Sequence, residues 1–204
     1  MKEKELLFKY IPNKSVNMVM DLIVENNVHL KITKQRKTKL GDYRPPGKDT
    51  PNHRISINHN LNKYSFLLTF IHELAHLKVW VIYKNKVQPH GREWKESYKE
   101  LILPFLTVEI FPEDILRVLQ SSRLNFKAST GSDIKLMRAL KNYDVGDAGK
   151  IHLEELNEGE LFIANKNKVF QKGKRRRTRY ICVDQEQNRQ YLFHPLTPVQ
   201  RFET

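Results

Sequence analysis

The strongest constraint on this chain is an apolar stretch, Phe66 to Tyr83, that carries His72, Glu73 and His76 in its middle. A helix that spans a membrane would not tolerate such side chains cheaply, so membrane insertion is not expected. A stretch that is apolar nearly all round instead predicts the buried central helix of a folded domain. The rest of the domain is therefore expected to pack around this helix.

Two histidines in the predicted helix are spaced to bind one metal ion. His72 and His76 are four residues apart, just over one helical turn, so both imidazoles point the same way. Their ring nitrogens can bind one Zn²⁺. Glu73 lies about 100° round the helix, off the ligand line but within reach of a water at the metal. It can therefore act as the general base that takes the proton of that water.

A tetrahedral zinc site needs a third protein ligand, and His90 is the leading candidate. The helix carries the chain about 12 Å beyond the second histidine, and six extended residues can return nearly 20 Å. Pro89 and Gly91 suit a fixed turn that presents the ring of His90. A carboxylate of the next helix, Glu93 or Glu96, is the alternative third ligand.

Two plainer interpretations of the histidine pattern remain open. The pattern can arise by chance, which is why a motif stays a hypothesis until its context is known. The histidines can also be satisfied core residues. A buried apolar helix does not need two histidines and a glutamate on neighbouring faces, however, because unpaired buried charge is costly. The zinc site is therefore the favoured interpretation.

Hydrophobic periodicity along the chain predicts an α+β fold. Helices are predicted from Asn13 or Ser15 to about Glu25, from Asn62 or Ser65 to about Tyr83, from Pro89-His90-Gly91 to about Leu103, and at 112–120 and 132–143. Strands are predicted at 28–32, 38–43, 54–58, 161–164, 168–170, 178–183 and 190–194. The composition changes after Gly146-Asp147-Ala148-Gly149. Two domains are therefore expected, residues 1–146 and a small β-rich domain of residues 147–204.

The residues around the predicted metal site resemble the bacterial SprT family, which also includes the eukaryotic Spartan proteases. The resemblance covers about residues 10–105. It is carried by His72-Glu73-Leu74-Ala75-His76-Leu77, Val79-Trp80 and Pro89-His90-Gly91-Arg92-Glu93-Trp94-Lys95, and upstream by Leu40-Gly41-Asp42-Tyr43-Arg44 and Ile55-Ser56-Ile57-Asn58.

This resemblance implies a minimal zincin-like domain, in which a few-stranded sheet packs on the helix that bears the HExxH motif. A substrate chain would dock as an extra strand along the sheet edge. By similarity, His72, His76 and His90 would be the zinc ligands and Glu73 the catalytic base. Spartan proteases cleave proteins crosslinked to DNA, whereas the substrates of bacterial SprT proteins are much less settled.

The C-terminal part of the chain departs from the family pattern. Many SprT proteins end in a zinc ribbon with paired cysteines, but the second cysteine of such a pair would fall at Gln185, and Cys182 is the only cysteine in the chain. The appendage is therefore expected to resemble a zinc ribbon without zinc. Its core is predicted to consist of aromatic residues: Phe162, Phe170, Tyr180, Tyr191 and Phe193.

A run of basic residues in the appendage predicts contact with nucleic acid, because Lys and Arg neutralise phosphates and release counterions. The whole chain is also basic, with a formal net charge of +13. A solvated hairpin face is the alternative explanation of the run. Nothing in it specifies a base sequence or distinguishes single-stranded from duplex DNA. The run begins at Lys166, and its residues predicted to bind nucleic acid are Lys168, Lys172, Lys174, Arg175, Arg176, Arg177 and Arg179.

Three functions are compatible with these features. The favoured one is a zinc metalloendopeptidase that hydrolyses protein or peptide substrates, including DNA-bound or DNA-crosslinked proteins in DNA repair. The alternatives are a nucleic-acid-binding module with a structural or inactive zinc site, and a small-substrate hydrolase such as an amidase. Tyr43 and Arg44 are guesses for the group that stabilises the oxyanion. The single cysteine and the charged N-terminus, with no signal peptide, predict a cytoplasmic protein.

Overall fold

The structure is a computed structural model that describes residues 2–36, 38–48, 50–121, 133–144, 151–165 and 167–202. The chain divides into two compact units, Met1–Asp144 and Val145–Thr204. The predicted domain boundary between residues 146 and 147 and the predicted helix start at Ser132 both lie outside the described residues. The two units together contain helices and sheets, so the predicted α+β class is confirmed.

The first unit contains six helices and three strands within its described ranges. The helices are α1 (Lys2–Tyr10), α2 (Val16–Glu25), α3 (Lys63–Tyr83), α4 (Arg92–Ile102), α5 (Glu113–Ser121) and α6 (Ile134–Lys141), and the strands are β1 (Val28–Thr33), β2 (Gly41–Arg44) and β3 (His53–Asn58). The sequence did not predict α1, whose composition is mostly charged. Its Leu7 is nevertheless buried, and so is Ile11, just after it.

The sheet of the first unit has the order β1-β3-β2. β3 lies in the centre, parallel to β1 and antiparallel to β2, so β2 forms an edge. Ile55 and Ile57 of β3 are fully buried, as expected for the apolar face of a central strand. α3 packs against both β2 and β3. The core helix therefore runs directly beside the edge strand.

Polar contacts hold the segment between β1 and β2 against β3. The guanidinium of Arg36 donates from Nε to Oδ1 of Asn58 at 2.8 Å and from Nη1 to Oγ of Ser56 at 2.9 Å. Asn58, which is buried, donates from Nδ2 to the carbonyl oxygen of Lys39 at 2.9 Å. Because buried polar groups need partners, these contacts stabilise the approach of the chain to β2.

Helix α3 is the centre of the unit. Asn62 caps it, because its Oδ1 accepts hydrogen bonds from the backbone N–H groups of Tyr64 and Ser65. The predicted start at Asn62 and end at Tyr83 are confirmed. By length and composition α3 could cross a membrane, but most of it is buried within the unit. It therefore has the character of a core helix.

The second unit is built on a six-stranded antiparallel sheet with the order β4-β9-β5-β6-β7-β8. The strands are β4 (Ile151–His152), β5 (Leu161–Ala164), β6 (Lys168–Arg176), β7 (Arg179–Asp184), β8 (Gln190–Phe193) and β9 (Pro198–Arg201). The predicted strands 161–164, 178–183 and 190–194 are confirmed to within one residue. β4 and β9 were not predicted, because both are short and β9 pairs with strands that are distant in sequence.

The core of the second unit contains four of the five aromatic residues predicted for it, together with aliphatic residues and Cys182. Phe162, Phe170 and Phe193 are buried, and Tyr180 packs against them. Tyr191 is 38% exposed, and its ring leans on Phe170 with centroids 5.7 Å apart. The prediction that Tyr191 belongs to the core is therefore wrong: on the edge strand β8, only Phe193 is buried.

Candidate metal centre

Three imidazole rings converge in the first unit. The Nε2 atoms of His72 and His76 lie 3.2 Å apart, and that of His90 lies 3.2 Å from His72 and 2.9 Å from His76. Tetrahedral zinc with Zn–N bonds of 2.0–2.1 Å places its ligand nitrogens about 3.3–3.4 Å apart. The three rings thus form a group that could hold a metal ion.

The third ring reaches the site through an unusual backbone conformation. His90 has a φ of 59°, in the left-handed region that residues other than glycine adopt at a cost. Gly91 follows as the N-cap of α4, where a Cβ would lie 2.9 Å from the carbonyl oxygen of Gln88. Local strain that brings a side chain into a polar cluster is typical of functional sites.

The indole ring of Trp94 packs against all three imidazole rings. Its centroid lies 4.7 Å from that of His72, 5.5 Å from that of His76 and 4.8 Å from that of His90. Tyr98, one turn further along α4, stacks on Trp94 at 5.1 Å. Since both aromatic residues are buried, the imidazoles have little freedom to rotate out of the cluster.

Burial also sets the protonation state of the cluster. It lowers the pKa of His72 to about 3 and that of His76 to about 4, and the neighbouring rings add to both decreases. The pKa of His90 is lowered by burial as well. Because a metal binds the neutral imidazole, rings that resist protonation are prepared to act as ligands.

Glu73 lies beside the cluster and is only 7% exposed. Burial raises its pKa to about 7, and the nearby charge of Asp42 adds to the increase, whereas a hydrogen bond from the backbone of Tyr43 acts in the opposite direction. A carboxyl group with a pKa near neutrality can both accept and release a proton. It therefore has the properties of a general base.

The edge strand approaches Glu73 at a glycine. A Cβ added to Gly41 would lie 2.6 Å from Oε1 of Glu73 and 2.7 Å from Cγ2 of Thr69. No ordinary side chain fits in that space without displacing the carboxylate or the strand. Gly41 is thus the residue that allows β2 to pack against the face of α3 that bears Glu73, and sequence reasoning had not singled it out.

An open cleft of about 820 Å³ connects these features. One side of the cleft is formed by residues 38–43, which include the start of β2, and another side by residues of the segment 84–90. The face of α3 that bears the histidines lines the cleft as well. Two further residues of the cleft that the sequence did not identify are Trp80 and Lys84. They follow His76 at intervals of four residues, so helical periodicity alone could have placed them on the same face as the histidines.

The remaining candidates in this unit lie at other positions. Glu96 is paired with Arg92 on the exposed face of α4, and Glu93 is not part of the histidine cluster. The phenol of Tyr43 is hydrogen-bonded to Nδ1 of His53 at 2.9 Å, and Arg44 is exposed and paired with Asp42. Among the described residues, none of these four side chains forms a hydrogen bond or an ion pair with the three converging imidazoles.

In the second unit, most of the basic run lies on the exposed hairpin of β6 and β7. Lys168 is paired with the buried carboxylate of Asp184 at 3.2 Å. Lys172 is only 4% exposed, and its ammonium donates to the backbone oxygens of Glu154 and Leu156. The assignment of Lys172 to a nucleic-acid surface is therefore corrected. The exposed members are Lys174, Arg175, Arg176, Arg177 and Arg179.

We predict that Gly41→Ala lowers the free energy of unfolding by about 1–3 kcal/mol, because the new methyl group must displace Glu73, Thr69 or the strand. Urea unfolding of the metal-free protein measures the change. Gly47→Ala is the matched control, since its Cβ would meet only Oγ1 of Thr50 at 3.7 Å. Equal stability of the two variants would contradict the close approach at Gly41.

We predict that His90→Gly loses bound zinc but keeps its fold. Removal of one imidazole leaves two ligands, while glycine relieves the left-handed backbone conformation at this position. Elemental analysis should find about one zinc per wild-type chain and almost none in the variant. His59→Ala, which removes an exposed histidine, should keep the metal. Retention of zinc by His90→Gly would exclude His90 as a ligand.

A comparison with known protein families matches the part of the chain that contains the three histidines. Residues 13–108 match the model of the SprT-like family, a range that contains the sheet, all of α3 and the converging histidines. Searches of curated proteins and of solved structures gave no match. This family is generally metal-associated, and its character is consistent with a function of the metallopeptidase type. The resemblance to the SprT-like family is therefore confirmed over residues 13–108.

Proposed function

We propose that the chain is a zinc-dependent metalloendopeptidase and that its active site is the cleft of the first unit. The observation that carries this proposal is the convergence of three Nε2 atoms within 3.2 Å of one another, next to the buried carboxyl group of Glu73. A structural zinc site normally has four protein ligands. Three ligands beside an open cleft favour catalysis.

His72, His76 and His90 would hold the zinc, and their nitrogen donors suit this metal. When bound, zinc supplies Lewis acidity, which polarises a peptide carbonyl and makes a water more acidic. The residues of the chain provide the rest. Trp94 restricts the ligand rings, and the close packing of β2 keeps water away from one side of Glu73.

Glu73 would act twice in peptide hydrolysis. Its carboxylate first takes a proton from the attacking water, and the resulting carboxylic acid then gives that proton to the amine that leaves. The raised pKa supports both steps, because a base with a pKa of about 7 binds and releases protons with similar ease near neutral pH. The carboxylate is held in place by the contacts with β2.

The substrate would bind as an extended chain along β2. The order β1-β3-β2 leaves one edge of β2 unpaired among the described strands, and β2 lines the cleft. A polypeptide can pair with such an edge through backbone hydrogen bonds. An edge strand beside the metal-binding helix is the arrangement proposed for a zincin-like domain. It suits a polypeptide better than a small amide.

Glu73→Gln tests the proposal. The amide cannot take a proton from water, so cleavage of an unfolded protein such as casein should fall by about 10²- to 10⁴-fold. Zinc content should stay unchanged, because Glu73 is not a ligand. The control is Glu100→Gln, which makes the same chemical change on the exposed surface of α4. Full activity of Glu73→Gln would remove this residue from the mechanism.

We further propose that the second unit binds DNA and that the substrates include DNA-bound or DNA-crosslinked proteins in the cytoplasm. Five exposed basic residues at the end of the β6–β7 hairpin support the proposal, and no described carboxylate is paired with them. Cys182 is the only cysteine of the chain, it is buried in the core, and burial raises the pKa of its thiol to about 11. We therefore propose a zinc-free appendage.

Neutralising the hairpin tests DNA binding. Arg176→Gln with Arg177→Gln should weaken duplex binding and reduce the slope of log K against log salt by about 2, because each lost phosphate contact contributes about 0.9. Arg189→Gln with Arg201→Gln removes the same charge from other positions of the unit and should have less effect. Equal losses in both double variants would indicate attraction by net charge alone.

A further inference from the structure

The face of α3 that bears His72 and His76 continues towards two more residues that line the cleft, Trp80 and Lys84. His72, His76, Trp80 and Lys84 follow one another at intervals of four residues, and all four line the cleft. The backbone N–H of Lys84 still donates to the carbonyl oxygen of Trp80 at 2.8 Å, although the helix ends at Tyr83. Trp80 and Lys84 therefore lie beyond the metal ligands in the same groove.

The indole ring of Trp80 contacts the sheet, and the ammonium group of Lys84 lies over it. Nζ of Lys84 lies 3.8 Å from the centre of the Trp80 ring, a close cation–π distance. The other partner of Trp80 is His53 of β3, whose ring meets it edge-on at 5.5 Å. His53 in turn stacks on Tyr43 of β2 and is hydrogen-bonded to its phenol. Contacts from both the helix and the sheet therefore hold the Trp80 ring in place.

Lys84 is the unpaired cation of the cleft among the residues that the structure describes. Lys39, on the opposite side, is paired with Asp42 at 2.7 Å, and Arg44 shares the same carboxylate. No described carboxylate lies within 4 Å of the Lys84 ammonium. The other acid of the cleft, Glu73, is buried beside the histidines. The positive charge of Lys84 is also felt at His53, whose pKa is lowered first by burial and then by this lysine.

We propose that Lys84 and Trp80 form a specificity subsite that binds an acidic side chain, Asp or Glu, of the substrate polypeptide. The inference rests on the proposed peptidase function and names its preferred substrate. Trp80 is one turn beyond His76, about 6 Å along the helix axis. An extended peptide advances about 3.3 Å per residue, so the acidic residue falls about two positions from the cleaved bond.

A polypeptide carboxylate fits this subsite better than nucleic-acid phosphates. Nucleic acid is bound by several cations along its backbone, since each neutralised phosphate adds only part of the affinity. The pair formed by Trp80 and Lys84 offers one ammonium group. This group lies over an aromatic ring and next to an edge strand that can pair with a peptide. A single carboxylate between backbone-paired residues matches that geometry.

Cleavage-site mapping on a peptide library tests the proposal. Wild type should enrich Asp and Glu at one position about two residues from the cut. Lys84→Ala should lose this enrichment, Lys84→Glu should favour Lys or Arg there, and Lys84→Arg should keep the acidic preference. Lys86→Glu, the same charge change two residues away and outside the cleft lining, should behave as wild type. An unchanged preference in Lys84→Glu overturns the subsite.

Binding by the Glu73→Gln variant separates this inference from the peptidase proposal. A labelled peptide with one Asp should bind about fivefold more tightly than the matched Asn peptide, as expected for one partly exposed ion pair. The difference should vanish when Lys84→Ala is added. That result with no cleavage by wild type would refute the peptidase while keeping the subsite. A loss of single-stranded DNA binding on Lys84→Ala, with Asp and Asn peptides bound equally, refutes the subsite.

Discussion

The packing of α3 between the sheet and α4 is the interaction on which the rest of the site depends. Trp94 of α4 packs against the three imidazoles, and β3, whose isoleucines are buried, also packs against the helix. A helix this apolar gains most of its stability from burial. The histidines can therefore remain uncharged in a dense environment, and a metal can draw on three ligands whose positions are already restricted.

The second constraint is the close approach of β2 to α3. Only the missing side chain of Gly41 lets the edge strand come so near to Glu73. The approach has two consequences that belong together. It removes water from the carboxyl group and thereby raises its pKa, and it places the unpaired edge of β2 along the groove. The proposed base and the proposed substrate path thus arise from one packing contact.

The basic run of the second unit illustrates how burial divides a uniform sequence. Lys172 points its ammonium into the unit, towards backbone oxygens and the ring of Tyr180, because its strand position faces the core. The register of the β6–β7 pairing shifts between Lys172 and Arg175, and Lys174 and the arginines after it are exposed. Charge composition therefore overstates the surface that is available to a phosphate backbone.

Local sequence determined the features that depend on short-range geometry. The four-residue spacing of His72 and His76, the cap at Asn62 and the alternation of Ile55 and Ile57 follow from helical and strand periodicity, and the structure contains each of them. The α+β class followed from hydrophobic periodicity along the chain, and the resemblance to the SprT-like family followed from the residues around the histidines. The short strands β4 and β9 were not, because their pairing partners are distant in the chain.

Only the tertiary structure decided which side chains meet. It selects His90 over Glu93 and Glu96 as the third member of the histidine cluster, makes Gly41 the neighbour of Glu73, and places Lys84 on the ring of Trp80. It also turns Lys172 inward and leaves Tyr191 exposed. The physical reason is that periodicity specifies the direction of a side chain within its own element. Distances between elements depend on how their surfaces pack, and that information is spread over the whole core.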